Sequence, residues 1–398
     1  MSGEVTVRVI RTLAEIEEVR STWVSWKFHP NSDIDYYLSR FHVRPEFIRP
    51  HIIVVNRDGR PDAMLVGRLD HLRLDLKIGY VHLPRPRVRV LNFIYCGLLG
   101  EPSPENCGLI VSEITNSLRR GEADLAAFSH IRVGSSIYEA ARRLPGFLSR
   151  DHFPQVDPHF SMKLSGTMEE MYRGLSSNAR HDLRRKAKRL LKDFPGKVEV
   201  SCFREESSLE VMIRDLEAIA KKTYQRGLGV GFLDNAEMRQ RLSLAARRGW
   251  LRSYILYVED KPCAFWMGTL YQGTFHVDFC GYDPSYDRSS PGTFLLTRML
   301  EGFGREKFDQ IDFGYGEERH KQRFSNCKWH EAMVRIYAPT VRGLGIKVLV
   351  TLVHFIDYIA RRVLDYGKLL PKLKRFWRKQ VRNCEPGPAP DETAPEGS

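Results

Sequence analysis

Two stretches in different halves of the chain follow one pattern, and this repetition limits the folds that the chain can adopt. Ile53–Leu69 and Leu256–Leu270 each read as an apolar strand, a charged turn with Arg-Pro or Lys-Pro, and a strand that closes on Gly-x-Leu. Each is preceded by a strand and helices and followed by a strand, a loop, a helix and a strand. We therefore predict an internal duplication of two α+β units, which start at Val5 and Val198.

The length of 398 residues leaves room for two such units, and 42 % hydrophobic residues are enough for two cores. We place the first unit at 1–153 and the second at 198–340. Between them we predict a connecting basic helical segment, 154–197. After them we predict a basic amphipathic helical extension, 341–383, and a disordered acidic tail, 384–398.

The seven cysteines form no C-x-x-C pair and no Cys/His cluster with zinc-ligand spacing. Several lie in apolar strands, so we expect a reduced, cytoplasmic protein without a structural metal. The N-terminus lacks the apolar segment of a signal peptide. The longest apolar run, Leu344–Ala360, contains Lys347, His354 and Asp357, which argues against a membrane-spanning helix.

The net charge of +13 is concentrated in two segments. Arg180–Lys192 holds seven basic residues and one acid, and Arg361–Arg382 holds nine and one. Such clusters attract coenzyme phosphates, nucleic acid or an anionic membrane, although a solvated basic face gives the same count. The first cluster lies on a predicted helix, Asn178–Phe194, whose apolar stripe faces the other way. For Leu344–Arg382 the alternatives are contact with an anionic membrane surface and a helix packed on the body.

The strand that follows the second hairpin, Thr274–Tyr282, carries polar side chains that could have a chemical role. Simple alternation predicts Phe275, Val277 and Phe279 on one face, with His276, Asp278 and Cys280 on the other. A His and an Asp on one face of a central strand suit a cleft, where partial burial can tune either as a general base. A structural His–Asp pair is the alternative.

The loop after this strand resembles a phosphate site. Ser290 and Pro291 form a good helix start, Gly292 admits close approach of a ligand, and Arg288 adds charge. We therefore predict phosphate contacts from Arg288, Ser289, Ser290, Pro291, Gly292 and Thr293.

Further along, Asp312 ends a predicted strand, where ligands often bind. Lys321 follows it, and the two could either clamp a substrate or form a salt bridge.

These motifs together carry a family resemblance. Leu175-Ser176-Ser177-Asn178-x-Arg180-x-x-Leu183-Arg184-Arg185, Ser290-Pro291-Gly292 and Asp312-Phe313-Gly314-x-Gly316 resemble the CelD-type acetyltransferases of the GNAT superfamily, relatives of the FemAB peptidyltransferases. The family usually has Tyr-Lys where this chain has His320-Lys321. The full glycine-rich GNAT phosphate signature is also absent.

The resemblance implies a tandem duplicated GNAT fold with a degenerate first domain, and acyl-CoA, usually acetyl-CoA, as co-substrate. The acceptor it implies is an amine or hydroxyl of a small sugar, polysaccharide precursor or other envelope-related molecule. Direct transfer needs a base and donors that polarise the thioester. We predict Asp278 or His276 as base, with Asp312 and Lys321 positioning the acceptor. Tyr282, Tyr286 or Tyr315 could protonate the thiolate.

Two other functions stay open at this point. A FemAB-like ligase that uses aminoacyl-tRNA would explain the basic helix, but its long helical arm is not evident in the sequence. A non-catalytic nucleic-acid or membrane-surface binder would explain the charge, but the chain has no recognisable nucleic-acid module. Apart from tRNA in the first alternative, we expect no nucleic-acid partner. We expect a cytoplasmic enzyme, at most peripheral on the inner face of the membrane.

Overall fold

A computed structural model of the protein describes residues 4–26, 29–78, 81–164, 177–227, 230–306, 308–316 and 319–366. Contacts within the chain divide it into two compact units. Unit 1 runs to Asp157 and resumes at His330, and unit 2 is Pro158–Trp329. The prediction of two α+β units is confirmed, because both repeat one order of strands and helices.

Unit 1 is a mixed sheet with helices on both faces. Its strands are β1 (Val5–Ile10), β2 (Phe47–Pro50), β3 (Ile52–Arg57), β4 (Arg60–Arg73), β5 (Lys77–Ile78), β6 (Val81–His82), β7 (Arg87–Gly100) and β8 (Leu125–Arg132). Its helices are α1 (Leu13–Ser25), α2 (Ile34–Phe41), α3 (Pro104–Arg119) and α4 (Ser136–Arg143). The main sheet has the order β1-β3-β4-β7-β8, with β2 paired to β4. Only β7 and β8 pair in parallel among these strands.

Residues 52–55 of strand β3 are all apolar, and the packing of the strand explains why. Ile53 and Val55 pack into the cluster that holds α3, while Ile52 and Val54 pack into the cluster that holds α1 and α2. A strand covered by helices on both faces needs apolar residues at every position.

Unit 2 repeats this construction. Its strands are β9 (Gln155–Lys163), β10 (Val198–Phe203), β11 (Leu251–Val258), β12 (Lys261–Tyr271), β13 (Thr274–Tyr282) and β14 (Gln310–Tyr315). Its helices are α5 (Ser177–Asp193), α6 (Leu209–Ala220), α7 (Tyr224–Gly227), α8 (Ala236–Arg247), α9 (Pro291–Glu306) and α10 (Arg319–Phe324). The order is β9-β14-β13-β12-β11-β10, in which only β13 and β14 pair in parallel. On β11, Leu256 faces the cluster of α5 and α9, and Ile255 faces that of α6 and α8.

The Gly-x-Leu repeat has a structural cause in each unit. The register shifts at Gly67 between β4 and β7 and at Gly268 between β12 and β13. A Cβ atom at Gly67 would collide with the ring of Phe93, and one at Gly268 with the backbone of His276. Glycine is required at both bulges because the neighbouring strand approaches too closely for a side chain.

The sequence analysis did not predict β2, β5, β6, β9 or β15 (Cys327–Tyr337), and two of these, β9 and β15, bear on the site. β9 starts in unit 1 and pairs with β14 in unit 2, and β15 starts in unit 2 and pairs with β8 in unit 1. Pro158 interrupts the pattern of β9, and the first half of β15 is polar, so neither has a clear strand signal.

The basic helix forms as predicted, as α5. It belongs to unit 2, because Leu183 and Leu190 are buried in the same cluster as α9. The capping box predicted at Thr167–Glu170 lies outside the described residues. The C-terminal helix forms as α11 (Val341–Tyr366), and the rest of the predicted extension also lies outside them.

Candidate active site

Strands β13 and β14 run together only briefly. Their parallel pairs are Thr274–Gln310, Phe275–Ile311 and His276–Asp312. Beyond that point β13 continues beside β12 as far as Tyr282, and β14 continues beside β9 as far as Tyr315. The strands therefore separate and open a wedge, whose apex carries His276 and Asp312.

Asp312 is the centre of a partly buried polar cluster at this apex. Its Oδ1 lies 2.6 Å from His159 Nε2 and accepts the Gly314 N–H at 2.8 Å, and its Oδ2 lies 3.4 Å from His276 Nδ1. Burial alone would raise the pKa of Asp312, but the hydrogen bonds from His159 and His276 outweigh it and hold that pKa well below its usual range. The carboxylate is therefore ionised at neutral pH.

An ionised carboxylate only accepts hydrogen bonds, and this assigns the protons on both imidazoles. The ring nitrogens that face Asp312 must be donors, namely His159 Nε2 and His276 Nδ1. Neutral His276 then carries its lone pair on Nε2, as a general base requires. His159 is 1 % exposed and stacks on Trp329 with ring centroids 4.2 Å apart, so its ring holds one side of Asp312 in place.

Asp278 has a different environment from His276. Its Oδ1 accepts from Arg241, and its Oδ2 accepts from the Thr269 hydroxyl at 3.0 Å. Both carboxylate oxygens of Asp278 thus already accept a hydrogen bond from a protein side chain. The geometry therefore favours His276 over Asp278, and both assignments remain predictions.

The alternation predicted for β13 is wrong beyond Val277. The bulge opposite Gly268 inserts one residue, so Phe279 packs against α6 and α8 instead of joining Phe275 and Val277. Cys280 packs on the opposite side, with Phe275 and Val277. An extra residue in one strand exchanges the faces of everything after it.

Lys321 is 2 % exposed in α10, and its Nζ donates to the Tyr315 carbonyl at 2.6 Å. The same turn is therefore held by two side chains: Asp312 accepts the Gly314 N–H, and Lys321 donates to the Tyr315 carbonyl. Gly314 and Gly316 in this turn have φ of 73° and 107°. This arrangement fixes the path of the chain just after the wedge apex. A role for Lys321 in positioning the acceptor remains a prediction.

The predicted phosphate loop leads into α9. Arg288 is exposed, and Gly292 has open space, with a Cβ there meeting only the Tyr282 ring at 3.8 Å. Ser289 is buried and its hydroxyl donates to Asp193 at 3.2 Å, so this side chain is already used. Ser290 has left-handed backbone angles, φ 50° and ψ 55°, and the extended conformation usual for an N-cap is not adopted.

Within this loop the Thr293 N–H bonds to the Ser290 carbonyl at 3.1 Å. Pro291 has no N–H, so among the predicted residues from Pro291 to Thr293 the Gly292 amide is the backbone donor best placed for a phosphate. Arg288 and Gly292 thus fit the predicted contact, whereas Ser289 fits a structural role.

The predicted tyrosines also have partners. The Tyr282 hydroxyl donates to Asp287 at 2.8 Å, and Tyr286 packs against Phe194 with ring centroids 5.9 Å apart. Burial raises the pKa of Tyr286 above its usual value. Sequence reasoning missed His159, Trp329 and Arg241. The first two lie on unpredicted strands, and the third lies on α8, to which no chemical role was assigned.

Comparison with known proteins agrees with this geometry. Residues 177–322 match a protein-family model described as acetyltransferase (GNAT) domain. No curated protein is significantly similar in sequence. The match includes His276, Asp312, Lys321 and the loop before α9.

Solved structures share the fold across most of the chain, at low sequence identity. FemX is 10 % identical, with a TM-score of 0.51 over 83 % of this chain and 96 % of its own. The C-terminal domain of a putative lysylphosphatidylglycerol synthetase from Agrobacterium fabrum is 13 % identical, with a TM-score of 0.50 over 85 % and 96 %. A conserved protein of unknown function from Bacteroides thetaiotaomicron is 12 % identical, with a TM-score of 0.50 over 84 % and 100 %.

The matched segment contains β10–β14, the diverging parallel pair and the loop before α9. Strands β1, β3, β4, β7 and β8 repeat this topology in unit 1. The resemblance inferred from the motifs is thus confirmed for residues 177–322, which match the GNAT acetyltransferase domain.

Proposed function

We propose that this protein is an acyl-CoA-dependent acyltransferase that moves an acyl group, in the simplest case acetyl, to an amine or hydroxyl. The observation that carries the proposal is the His276–Asp312 pair at the point where β13 and β14 separate, within the GNAT segment. A wedge between two strands has room for an extended thioester. A base at the apex of the wedge can take the proton of an acceptor that binds beside the thioester.

The proposed reaction is direct transfer without a covalent enzyme intermediate. The acceptor nitrogen or oxygen attacks the thioester carbonyl carbon, and its proton moves to His276 Nε2. The C–S bond then breaks, and the coenzyme leaves as a thiolate that takes up a proton. Asp312 is a positioning residue, because it holds Nδ1–H and stabilises the imidazolium that forms.

The donor would be held by its phosphates at the start of α9. The Gly292 amide, the positive end of the helix and the Arg288 guanidinium all favour a phosphate group there. We place Ser289, Ser290, Pro291 and Thr293 in the same loop as the residues that shape it. The acceptor class, a small sugar, polysaccharide precursor or envelope-related molecule, rests on the CelD-type resemblance. The cytoplasmic location that we propose rests on the cysteine pattern.

The decisive test is a panel of acyl-CoAs. Acetyl-CoA and longer acyl-CoAs are compared with desulfo-coenzyme A by thermal shift, and thiol release is followed with amino sugars as acceptors. A true donor at about a hundred times its Kd should stabilise the fold by about 2.7 kcal/mol. If no coenzyme A ester stabilises the protein, the proposal is wrong.

A second candidate is transfer from aminoacyl-tRNA. It is favoured by one observation: α5 turns a row of basic side chains to solvent while Leu183 and Leu190 are buried. The exposed row is Arg184, Arg185, Lys188, Arg189 and Lys192. Transfer of a labelled aminoacyl group from tRNA, without thiol release from any acyl-CoA, would support this candidate. Salt-sensitive tRNA binding without either reaction would indicate a non-catalytic binder.

A further inference from the structure

Helix α11 is apolar on two opposite sides. One side packs on unit 1 through Ile346, Val350 and Val353, in a cluster with β7 and Tyr337. Its first turn is fixed as well: Arg342 donates to the Arg87 carbonyl at 2.8 Å and lies 3.3 Å from Asp124. The helix is therefore attached to unit 1 along one face.

The other side of α11 exposes a row of large apolar residues at helical spacing. Val348 is 58 % exposed, Leu352 52 % and Phe355 59 %. The full row, here called the α11 stripe, is Val341, Val348, Leu349, Leu352, Phe355, Ile356 and Ile359. A stripe of this length on the surface of a folded unit marks an interaction site.

A loop of unit 1 adds further exposed apolar side chains. Phe147 is 71 % exposed, Leu148 63 % and Phe153 74 %. Lys347 of α11 donates to the Phe147 and Leu148 carbonyls at 3.4 and 2.9 Å, so the loop lies against the helix. We call Leu144, Phe147, Leu148 and Phe153 the aromatic loop.

The charges near these two features identify the occupant. Arg362 is exposed near the end of α11, and the sequence 361–382, which includes it, holds nine basic residues against one acid. A second copy of the chain would bring two such basic segments together and be repelled. An anionic lipid surface accepts both the apolar side chains and the positive charge.

We propose that the α11 stripe and the aromatic loop form one docking surface for an anionic lipid bilayer, with α11 lying in the plane of the membrane. Val341–Ala360 is long and apolar enough to span a bilayer. Spanning would require Ile346, Val350 and Val353 to leave the core of unit 1, whereas docking leaves them in place. This inference goes beyond the acyl-transfer proposal and does not depend on it.

The test is flotation of the full-length protein with vesicles of phosphatidylcholine alone or with an equal part of phosphatidylglycerol. We expect binding to the mixed vesicles and little to phosphatidylcholine. Leu352→Ser with Phe355→Ser should weaken binding at least about tenfold, and Phe147→Ser with Phe153→Ser should do so independently. Leu13→Ser, at an exposed leucine of α1, is the matched control and should change nothing. Circular dichroism and thermal melting verify folding of each variant.

The orientation is tested by an alkaline carbonate wash, which releases an interfacial helix and leaves a spanning helix in the membrane. Retention would overturn the in-plane arrangement. Binding that neither double variant weakens, or no binding to mixed vesicles, would overturn the docking surface. A dimer by light scattering that Leu352→Ser with Phe355→Ser converts to a monomer, with unchanged vesicle binding, would assign the stripe to self-association instead.

Discussion

The two units differ most at the point where their parallel strands separate. In unit 2 the last parallel pair is His276–Asp312, and in unit 1 it is Phe93–Phe128. The two phenylalanine rings stack with centroids 5.1 Å apart, and both are about 1 % exposed. The duplicated backbone is the same, but unit 1 fills the apex with a packed core where unit 2 places a titratable pair. This contrast supports the proposal that unit 2 carries the chemistry while unit 1 contributes stability.

The starts of helices α3 and α9, which follow β7 in unit 1 and β13 in unit 2, differ between the units in the same way. In unit 1, Ser103 caps α3 by accepting the Asn106 N–H at 3.1 Å, and the exposed Glu101 and Glu105 lie beside it. In unit 2 the corresponding loop has Arg288, and a left-handed Ser290 precedes α9. Acidic residues and an occupied N–H disfavour a phosphate at α3, which supports the proposal that unit 2 binds the donor.

The largest effect should come from removing the imidazole at the apex of unit 2. His276→Ala is expected to lower kcat by about 10²–10⁴-fold with little change in melting temperature, because it removes a general base. His71→Ala, at an exposed histidine of unit 1, is the control. Steady-state thiol release measures both. Wild-type kcat in His276→Ala would exclude this histidine as the base.

The reciprocal change in unit 1 should affect stability alone. Phe93→Ala is expected to lower the free energy of unfolding by about 3–5 kcal/mol, because it leaves a cavity against Phe128. Urea denaturation measures the loss, and kcat per folded molecule at low temperature should stay near wild type. A kcat loss as large as that of His276→Ala would contradict the division of roles between the units.

Asp312→Asn tests positioning at the same apex. The amide can donate to His276 Nδ1 and so favour the wrong tautomer, and kcat is expected to fall about a hundredfold or more. KM for the donor should stay the same. The variant should also change the acidic limb of the pH–rate profile. Substitution of a residue with a structural role only would not change that limb. An unchanged profile with reduced stability would assign Asp312 to the core only.

A partly buried carboxylate of unit 1 provides the structural counterpart. Glu122 lies 2.8 Å from Arg11 and 2.6 Å from Arg49. Burial would raise the pKa of Glu122, but the bonds from Arg11 and Arg49 lower it to about 2. Because the folded pKa lies below the ordinary value, the stabilisation is fully present above about pH 4.5 and is lost as pH falls towards about 2.

Glu122→Gln should therefore cost about 2 kcal/mol of stability at neutral pH and flatten the acid limb of the stability curve. Urea denaturation from acid to neutral pH measures this, with Glu18→Gln, in an exposed pair with Arg8, as control. Equal losses at acid and neutral pH would show that the ion pairs are not the cause.

We expect the smallest effect, on KM, from a change in the loop before α9, where we propose that the acyl-CoA phosphates bind. Arg288→Ala is expected to raise KM for acyl-CoA about tenfold with kcat unchanged, since it removes one phosphate contact. The effect should shrink as salt rises. Arg60→Ala, at an exposed arginine of a unit 1 turn, should leave KM unchanged. A fall in kcat with KM constant would place Arg288 outside the donor site.

Much of the fold could be predicted because its signals are local. Gly67 and Gly268 lie at equivalent positions of β4 and β12, and the unbroken apolar run of β3 indicates a strand that is covered on both faces. The register of β13 could not be predicted, because the bulge beside Gly268 depends on the neighbouring strand. His159 could not be linked to Asp312, because a tertiary pairing of distant strands brings them together.

The sequence by itself determined the duplication, the helix and strand types, the GNAT resemblance and the residue set that contains His276, Asp312 and Arg288. Those properties follow from periodicity, turn chemistry and short motifs. Only the tertiary structure decided that Asp312 bridges two histidines, that Asp278 pairs with Arg241, and that α11 exposes an apolar face. Each depends on which distant strands and helices pack together, and that choice is made by the summed burial of many residues.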